Sequence, residues 1–228
     1  MLEVQPARMA GDHATLSGYS AKPEGYFGHT RTEVLRLLPQ KVGRIVDIGG
    51  GSGATLSLIK QNFPDVVTIC MDHHAASVAT ARQRGHIGIV CDVESGIPDE
   101  IGECDAVLCL DVLEHLIDPW KVLRNLYLHM KPAARIVLSV PNVRYLPVSA
   151  GLLFKGRWEL TSEGVLDSTH LRFFTRSSAL AMLRNAGFEL IRIEAKLGPV
   201  RRGVIADTLT LGLLRDLFSI QFLLVGTR

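Results

Sequence analysis

The sequence predicts a single-domain, doubly wound α/β fold. Three observations carry that expectation. Short apolar runs of strand length recur between residues 44 and 140. Stretches with helical periodicity or helix-forming composition separate them, and four of the runs end at an aspartate: Asp47, Asp72, Asp92 and Asp111. Alternation of this kind builds a parallel sheet with right-handed crossovers, and ligands of such sheets bind beyond the carboxyl ends of the strands.

Each element has its own signal. Residues 1–18 show little periodicity and read as a loosely packed N-terminal segment, and residues 19–228 as the domain. Tyr19, Tyr26 and Phe27 sit among Gly and Pro, which suggests an ordered segment or lid over 19–29. Val34, Leu35, Leu37 and Leu38 indicate a helix ended by Pro39. A strand over 44–48 leads into a glycine turn and a helix over 54–62. A strand over 66–71 ends in Asp72-His73, and a helix over 75–84 is closed by Gly85. Strands follow over 87–91 and 104–110. Asp118 as N-cap and Pro119 at the first helical position open a helix over 119–130. A strand over 135–140 is stopped by Pro141-Asn142.

Beyond Asn142 the rhythm changes. Residues 143–169 are irregular, and a connection that long in a compact domain is usually functional. Residues 143–175 are therefore expected to form a substrate-side insertion. Thr175 caps a helix over 176–186 ended by Gly187, and 188–195 alternates as a strand does. An amphipathic helix over 206–218 would pack on the sheet or on a second copy in a homodimer. Residues 220–225 form a last strand.

Composition narrows the partners. With 228 residues, 47% hydrophobic content and a net charge of +2, the chain can bury a core and carries no broad phosphate-tracking surface. No nucleic-acid partner is expected. No signal peptide is evident, and no apolar stretch reaches the roughly 18 residues that span a bilayer. The cysteines, 70, 91, 104 and 109, lie in or beside strand-like runs without C-x-x-C spacing. They read as reduced core thiols of a cytoplasmic protein.

The run Ile45-Val46-Asp47-Ile48-Gly49-Gly50-Gly51-Ser52-Gly53-Ala54 organises the ligand site. Glycines 49, 51 and 53 permit positive φ and let a ligand lie against bare main chain at a helix N-terminus. The spacing alone fits a methyl-donor loop and a dinucleotide fingerprint equally. Asp47 separates them. Beside a pyrophosphate its carboxylate would be repelled, by about 1 kcal/mol even in bulk water at 4 Å. Beside an ammonium and a sulfonium it is attractive, and S-adenosylmethionine carries both. An acid at Asp72 suits ribose hydroxyls, and Asp92 with Cys91 and Val93 suits an adenine.

These residues resemble a family. The glycine run, Met71-Asp72, Cys91-Asp92-Val93 and Leu110-Asp111-Val112-Leu113-Glu114-His115-Leu116 are similar to the successive cofactor motifs of class I S-adenosylmethionine-dependent methyltransferases. The resemblance runs from about Tyr19 to the end. It implies a Rossmann-like sheet of seven strands, the last antiparallel and inserted between the fifth and sixth. It also implies that Asp47, Gly49, Gly51, Leu110, Asp111 and His115 face the methionine part of the cofactor. Asp72 and His73 would serve the ribose, and Asp92 and Val93 the adenine. Tyr26 would cover the cofactor, and Arg31 would pair with its carboxylate. Gly50 stands where many members have cysteine. A narrower resemblance, over Gly156-Arg157-Trp158-Glu159-Leu160-Thr161 and Gly164 to Thr175, points to bacterial methyltransferases of polysaccharide and other glycan pathways.

The expected activity is methyl transfer to a small-molecule or glycan-related acceptor at oxygen. His170 leads as the general base, with His115 second and His29 third; each also has a purely structural role open to it. Tyr145, Trp158, Asp167 and His170 are the substrate-side candidates. His73-His74 lacks partners at metal-ligand spacing, so no metal site is read. The alternatives are an NAD-dependent oxidoreductase or epimerase, against which Asp47 and Asp92 argue, and a non-catalytic cofactor-binding protein.

Overall fold

The apolar runs assemble as one sheet. The structure is a computed structural model that describes residues 30–198 and 214–228. Tyr26, His29, the N-terminal segment 1–18 and most of the helix expected over 206–218 lie outside the described residues, and with that helix goes the homodimer face read from it. Strands β1 (Arg44–Ile48), β2 (Val67–Asp72), β3 (Ile87–Val90), β4 (Cys104–Leu110), β5 (Met130–Pro141), β6 (Glu189–Leu197) and β7 (Ser219–Thr227) run in the order β3-β2-β1-β4-β5-β7-β6. The first five are parallel, and β7 is antiparallel to both β5 and β6. This is the expected seven-stranded, Rossmann-like sheet with its last strand inserted before the sixth.

Both faces of the sheet are covered, which is why the central strands read as continuous apolar runs. Alternation along β1 sends Ile45 to one side and Val46 to the other. Ile45 joins Leu56, Ile59, Leu108 and Val137 in one cluster, and Val46 joins Ile69, Met71, Leu123 and Phe222 in the other. Each such fully buried side chain contributes about 1.5–3 kcal/mol of burial. Edge strand β3 leaves Ile87 and Val90 exposed.

The helices are α1 (Ala54–Asn62), α2 (Ala75–Gln83), α3 (Pro119–Leu128), α4 (Leu146–Lys155), α5 (Arg176–Asn185) and α6 (Arg215–Phe218). The Asp118 side chain accepts the Lys121 N–H at 2.9 Å, closing the start of α3. Thr175 and Ser178 form a reciprocal capping box on α5.

Three elements differ from expectation, each for a physical reason. Thr32–Leu37 is a 3-10 turn, not an α-helix. Its buried residues, Val34 and Leu37, are three apart and therefore eclipse in a 3-10 geometry. β5 begins at Met130, ahead of Pro132 and of Ala133, which takes φ 62; both disturb the period-2 pattern that marks a strand. α4 lies inside the stretch expected to be irregular. It has no buried residue, so no amphipathic stripe marks it in the sequence.

The insertion is tied down at both ends. Asn142, fully buried, donates through Nδ2 to the carbonyls of Asp216 (2.6 Å) and Ser219 (2.7 Å). The Val143 N–H donates to the Phe174 carbonyl at 2.9 Å. The N–H groups of Leu171 and Arg172 both donate to the Glu114 carbonyl, at 2.8 and 2.9 Å. These bonds carry residues 143–175 back over the carboxyl ends of β4 and β5.

Candidate active site

Strand order reverses between β1 and β4, the position where open α/β sheets bind ligands. The glycine turn follows β1. Gly49, Gly51 and Gly53 take φ of +66°, +53° and +74°. A Cβ on Gly49 would lie 2.9 Å from Val112 Cγ2, and one on Gly53 2.6 Å from His86 Cδ2, so the turn excludes side chains on two grounds. The Gly51 N–H donates to Asp72 Oδ2 at 2.9 Å, and the His74 N–H to Asp72 Oδ1 at 2.8 Å. One carboxylate thus clamps the turn to the end of β2.

Asp47 is buried below this turn. Burial, then the neighbouring Asp72, pushes its carboxyl up to about 7, against the pull of Arg31. A cation above it would restore the charged form. That charge preference, with a cradle of bare backbone, fits a positively charged amino-acid head group and disfavours a diphosphate.

Two cavities open at this sheet edge. The first, about 330 Å³, is lined by Gly49, Asp72, His73, Asp92, Val93 and His115, with apolar walls from Met71 and Cys91. Asp92 accepts the Glu94 N–H at 2.9 Å and the Ser95 hydroxyl at 3.0 Å, which fixes its carboxylate at the rim. The second, about 410 Å³, is lined by Asp111, Glu114, His115, Asp167, His170 and Gln221, among others. His115 stands in the wall of both.

Asp111, directly after β4, is a non-glycine residue at φ 56. That conformation costs on the order of 1–2 kcal/mol, and the surroundings over-determine it. Its carboxylate accepts from the Ser139 hydroxyl at 2.8 Å, from Gln221 Nε2 and from Arg31, which also pairs with Glu33 at 2.8 Å.

The histidine pair is held from behind. The Leu113–His115 turn presents His115, whose Nδ1 lies 3.1 Å from the Thr169 carbonyl. His170 Nδ1 lies 3.1 Å from the Val165 carbonyl. A carbonyl only accepts, so each Nδ1 carries the proton and each Nε2 the lone pair. The rings meet edge to face with centroids 4.8 Å apart. Burial, and next the His170 ring, lowers the His115 pKa to about 4, so that imidazole is neutral at ordinary pH. Asp167 is buried, and its Oδ1 accepts from the Thr169 N–H at 2.9 Å and the Thr169 hydroxyl at 2.7 Å.

The structure thus gathers Gly49, Asp72, His73, Asp92, Val93 and His115 around one cavity, and Asp111, His115, Asp167 and His170 around the next. Asp47 and Gly51 form the floor and turn beneath them, and Leu110 ends β4. Tyr145 is buried at the start of α4, and half-exposed Trp158 stands edge-on to Phe173 at 5.1 Å. Neither lines these two cavities. Sequence reasoning missed Glu114 and Gln221. Glu114 was within reach of it: Asp111 and Glu114 are three apart beside His115, a spacing that shares one face of a turn. Gln221 is brought in by β7, and nothing local marks it.

A seven-stranded sheet of this order, with a glycine turn over a buried carboxylate, defines the class I S-adenosylmethionine-dependent methyltransferases. The sequence model of a family described as "Methyltransferase domain" matches residues 24–193, and the chain belongs to that family. Solved structures that share its fold include ones described as SAM-dependent methyltransferases. Among curated relatives, a ubiquinone biosynthesis O-methyltransferase of Xanthomonas axonopodis pv. citri is 27% identical over 183 residues, covering 77% of this chain and 75% of that protein. One of the same description from Pseudomonas aeruginosa is 30% identical over 156 residues, covering 64% of this chain and 65% of that protein, just under two thirds of its length. A solved SAM-dependent methyltransferase from Archaeoglobus fulgidus superposes with a TM-score of 0.62 at 22% identity, over 90% of this chain and 97% of that one. One from Mesorhizobium loti gives 0.58 at 19%, over 86% and 96%. No helix among the described residues is long and apolar enough to cross a membrane.

Proposed function

We propose that this chain methylates a hydroxyl oxygen of a small molecule, with hydroxylated rings and glycan-related sugars as the acceptor classes. The observation that carries the reading is the shared wall: His115 belongs to a cofactor-sized cavity and to the cavity beside it. The names of the curated relatives support oxygen as the target and a small molecule as the acceptor. When bound, the cofactor supplies a methyl group activated on a sulfonium.

This chain's residues do the rest. Asp47, Gly49, Gly51 and Leu110 hold the methionine end, Asp72 and His73 the ribose, and Asp92 and Val93 the adenine. Arg31 and Asp111 close the methionine side. The insertion over 143–175 shapes the acceptor side through Asp167 and His170, while Tyr145 and Trp158 stand outside the two cavities. It orients the hydroxyl and excludes water, an effect that can supply roughly 7–11 kcal/mol. The acceptor proton leaves through the His115–His170 pair, first onto His170 Nε2. Four free cysteines support a reducing, cytoplasmic setting, and the small net charge supports an acceptor other than nucleic acid.

The test is turnover to S-adenosylhomocysteine against a panel of phenols, catechols and sugars, with the product mapped by mass spectrometry. Methylation at oxygen of at least one small acceptor is expected. Methylation only at nitrogen or carbon, or tight NAD binding without S-adenosylhomocysteine binding, overturns the reading. His170→Ala should lower turnover by about 100-fold or more with cofactor affinity nearly intact.

A further inference from the structure

We infer that Glu114, His115 and His170 form a site for one divalent transition-metal cation in the acceptor cavity. Each offers one ligand atom, and these atoms all lie within 4.8 Å of one another. Ligands on a single ion sit about 2.0–2.2 Å from it, so small side-chain adjustments close this cluster onto one ion.

The strongest pointer is Glu114. It is 1% exposed, and among the described residues its two carboxylate oxygens are the buried side-chain atoms that lack a hydrogen-bond partner. Leaving a buried polar group unpaired costs about 1–3 kcal/mol, more when it is charged. In native proteins such a group marks stored strain, a catalytic role or the place of a water or an ion, and two imidazoles within reach favour the ion here. Nearby Asp111 and Asp167 add negative potential to the same cavity.

Each histidine makes, through the ring nitrogen turned away from the cluster, the hydrogen bond to a carbonyl that orients a metal-ligating imidazole. The Thr169 and Val165 carbonyls hold the two Nδ1 protons, which turns Nε2 into the donor atom on each ring. The two N–H bonds from Leu171 and Arg172 to the Glu114 carbonyl fix the loop that delivers His170 to Glu114. Two imidazoles and one carboxylate suit Zn²⁺, Mn²⁺ or Fe²⁺ far better than Mg²⁺, which prefers an all-oxygen shell. Three protein ligands leave coordination positions open to the cavity, the mark of a catalytic site rather than a closed structural one.

Only the consequence for chemistry rests on the proposed function; the binding of the ion does not. A hydroxyl bound to such a cation loses its proton at a much lower pH, as zinc-bound water does at about 7. The proton goes to solvent water, and the oxygen's electron pair forms the new O–C bond as the methyl–sulfur bond of the sulfonium breaks, its electrons staying on sulfur in the neutral thioether S-adenosylhomocysteine. His115 and His170 are then ligands, and the cation takes over the work otherwise given to His170 Nε2.

The test uses the full chain after dialysis against EDTA. Zn²⁺, Mn²⁺ and Mg²⁺ are titrated separately by calorimetry, and thermal unfolding is followed with and without each. One equivalent of Zn²⁺ or Mn²⁺ should bind and raise the melting temperature, with Mg²⁺ at least 100-fold weaker. Glu114→Gln keeps the shape of the side chain and removes a carboxyl that is hard to ionise, so it should fold at least as stably as the parent. It should lose metal affinity by 100-fold or more, as should His170→Ala, while both retain S-adenosylhomocysteine binding. Equal metal binding by the parent and Glu114→Gln, or no binding of either transition metal, overturns the inference. Methyl transfer that persists in EDTA overturns the role of the ion while leaving the methyltransferase reading intact.

Discussion

The two cavities differ in how their polar groups are held. Around the first, Asp72 and Asp92 answer to groups close by in the chain or across one strand pair. Asp72 takes the N–H groups of Gly51 and His74, and Asp92 takes the N–H of Glu94 and the hydroxyl of Ser95. Around the second, groups distant in sequence meet. His115 bonds the carbonyl of Thr169, Asp111 takes bonds from Arg31 and Gln221, and Glu114 keeps an unpaired carboxyl in the interior. The acids of the first cavity are already satisfied by the protein itself. The second stores unmet polar demand, which is what a site for a reacting group or an ion requires.

Breaking the first cavity should give the largest effect. Asp72→Ala removes the acceptor of one buried and one part-buried N–H bond, so S-adenosylhomocysteine affinity should fall by about 100-fold, or about 3 kcal/mol. Calorimetric titration reads this directly, and unchanged affinity would remove Asp72 from the ribose role.

Next comes the acid sensitivity of the second cavity. The unfolded chain protonates His115 near its ordinary value of 6.5, whereas the folded chain resists until about 4. Stability from this group is therefore full above 6.5 and declines as the pH falls towards 4, by up to about 3 kcal/mol. Urea unfolding at several pH values checks it, and His115→Gln should flatten that part of the curve.

A smaller effect concerns the floor beneath the glycine turn. With the Asp47 carboxyl at about 7, a bound cation must displace its proton at lower pH. Affinity for S-adenosylmethionine should level off above that value and weaken below it, by up to about tenfold per pH unit. Asp47→Asn should abolish the slope.

The smallest effect marks a region that belongs to neither cavity. Thr175→Ala removes the capping box of α5 and should cost about 1 kcal/mol of stability. A thermal melt checks it, and turnover at low temperature should hardly change.

The same contrast explains what the sequence made legible. Fold class, strand order and the first cavity follow from local signals: apolar runs, positive-φ glycines and acids at strand ends. Gly50 is instructive. A side chain there would meet Cys70 Sγ at 2.9 Å and Asp47 Cβ at 3.1 Å, so the packing of β1 and β2 against the turn leaves it no room. The second cavity was legible only as a list of names. His115 and His170 were visible, but their meeting depends on how residues 143–175 fold back, and Glu114 gained importance only through burial. α4 escaped because an element with no buried face leaves no period.

One imidazole lodged in a party wall has a thermodynamic corollary. Whatever free energy a guest on one side gains or loses by turning the His115 ring must appear, with equal size, in the affinity of a guest on the other side. Donor and acceptor therefore sense each other before any bond changes hands, and tight retention of spent donor would show up as an altered grip on the acceptor.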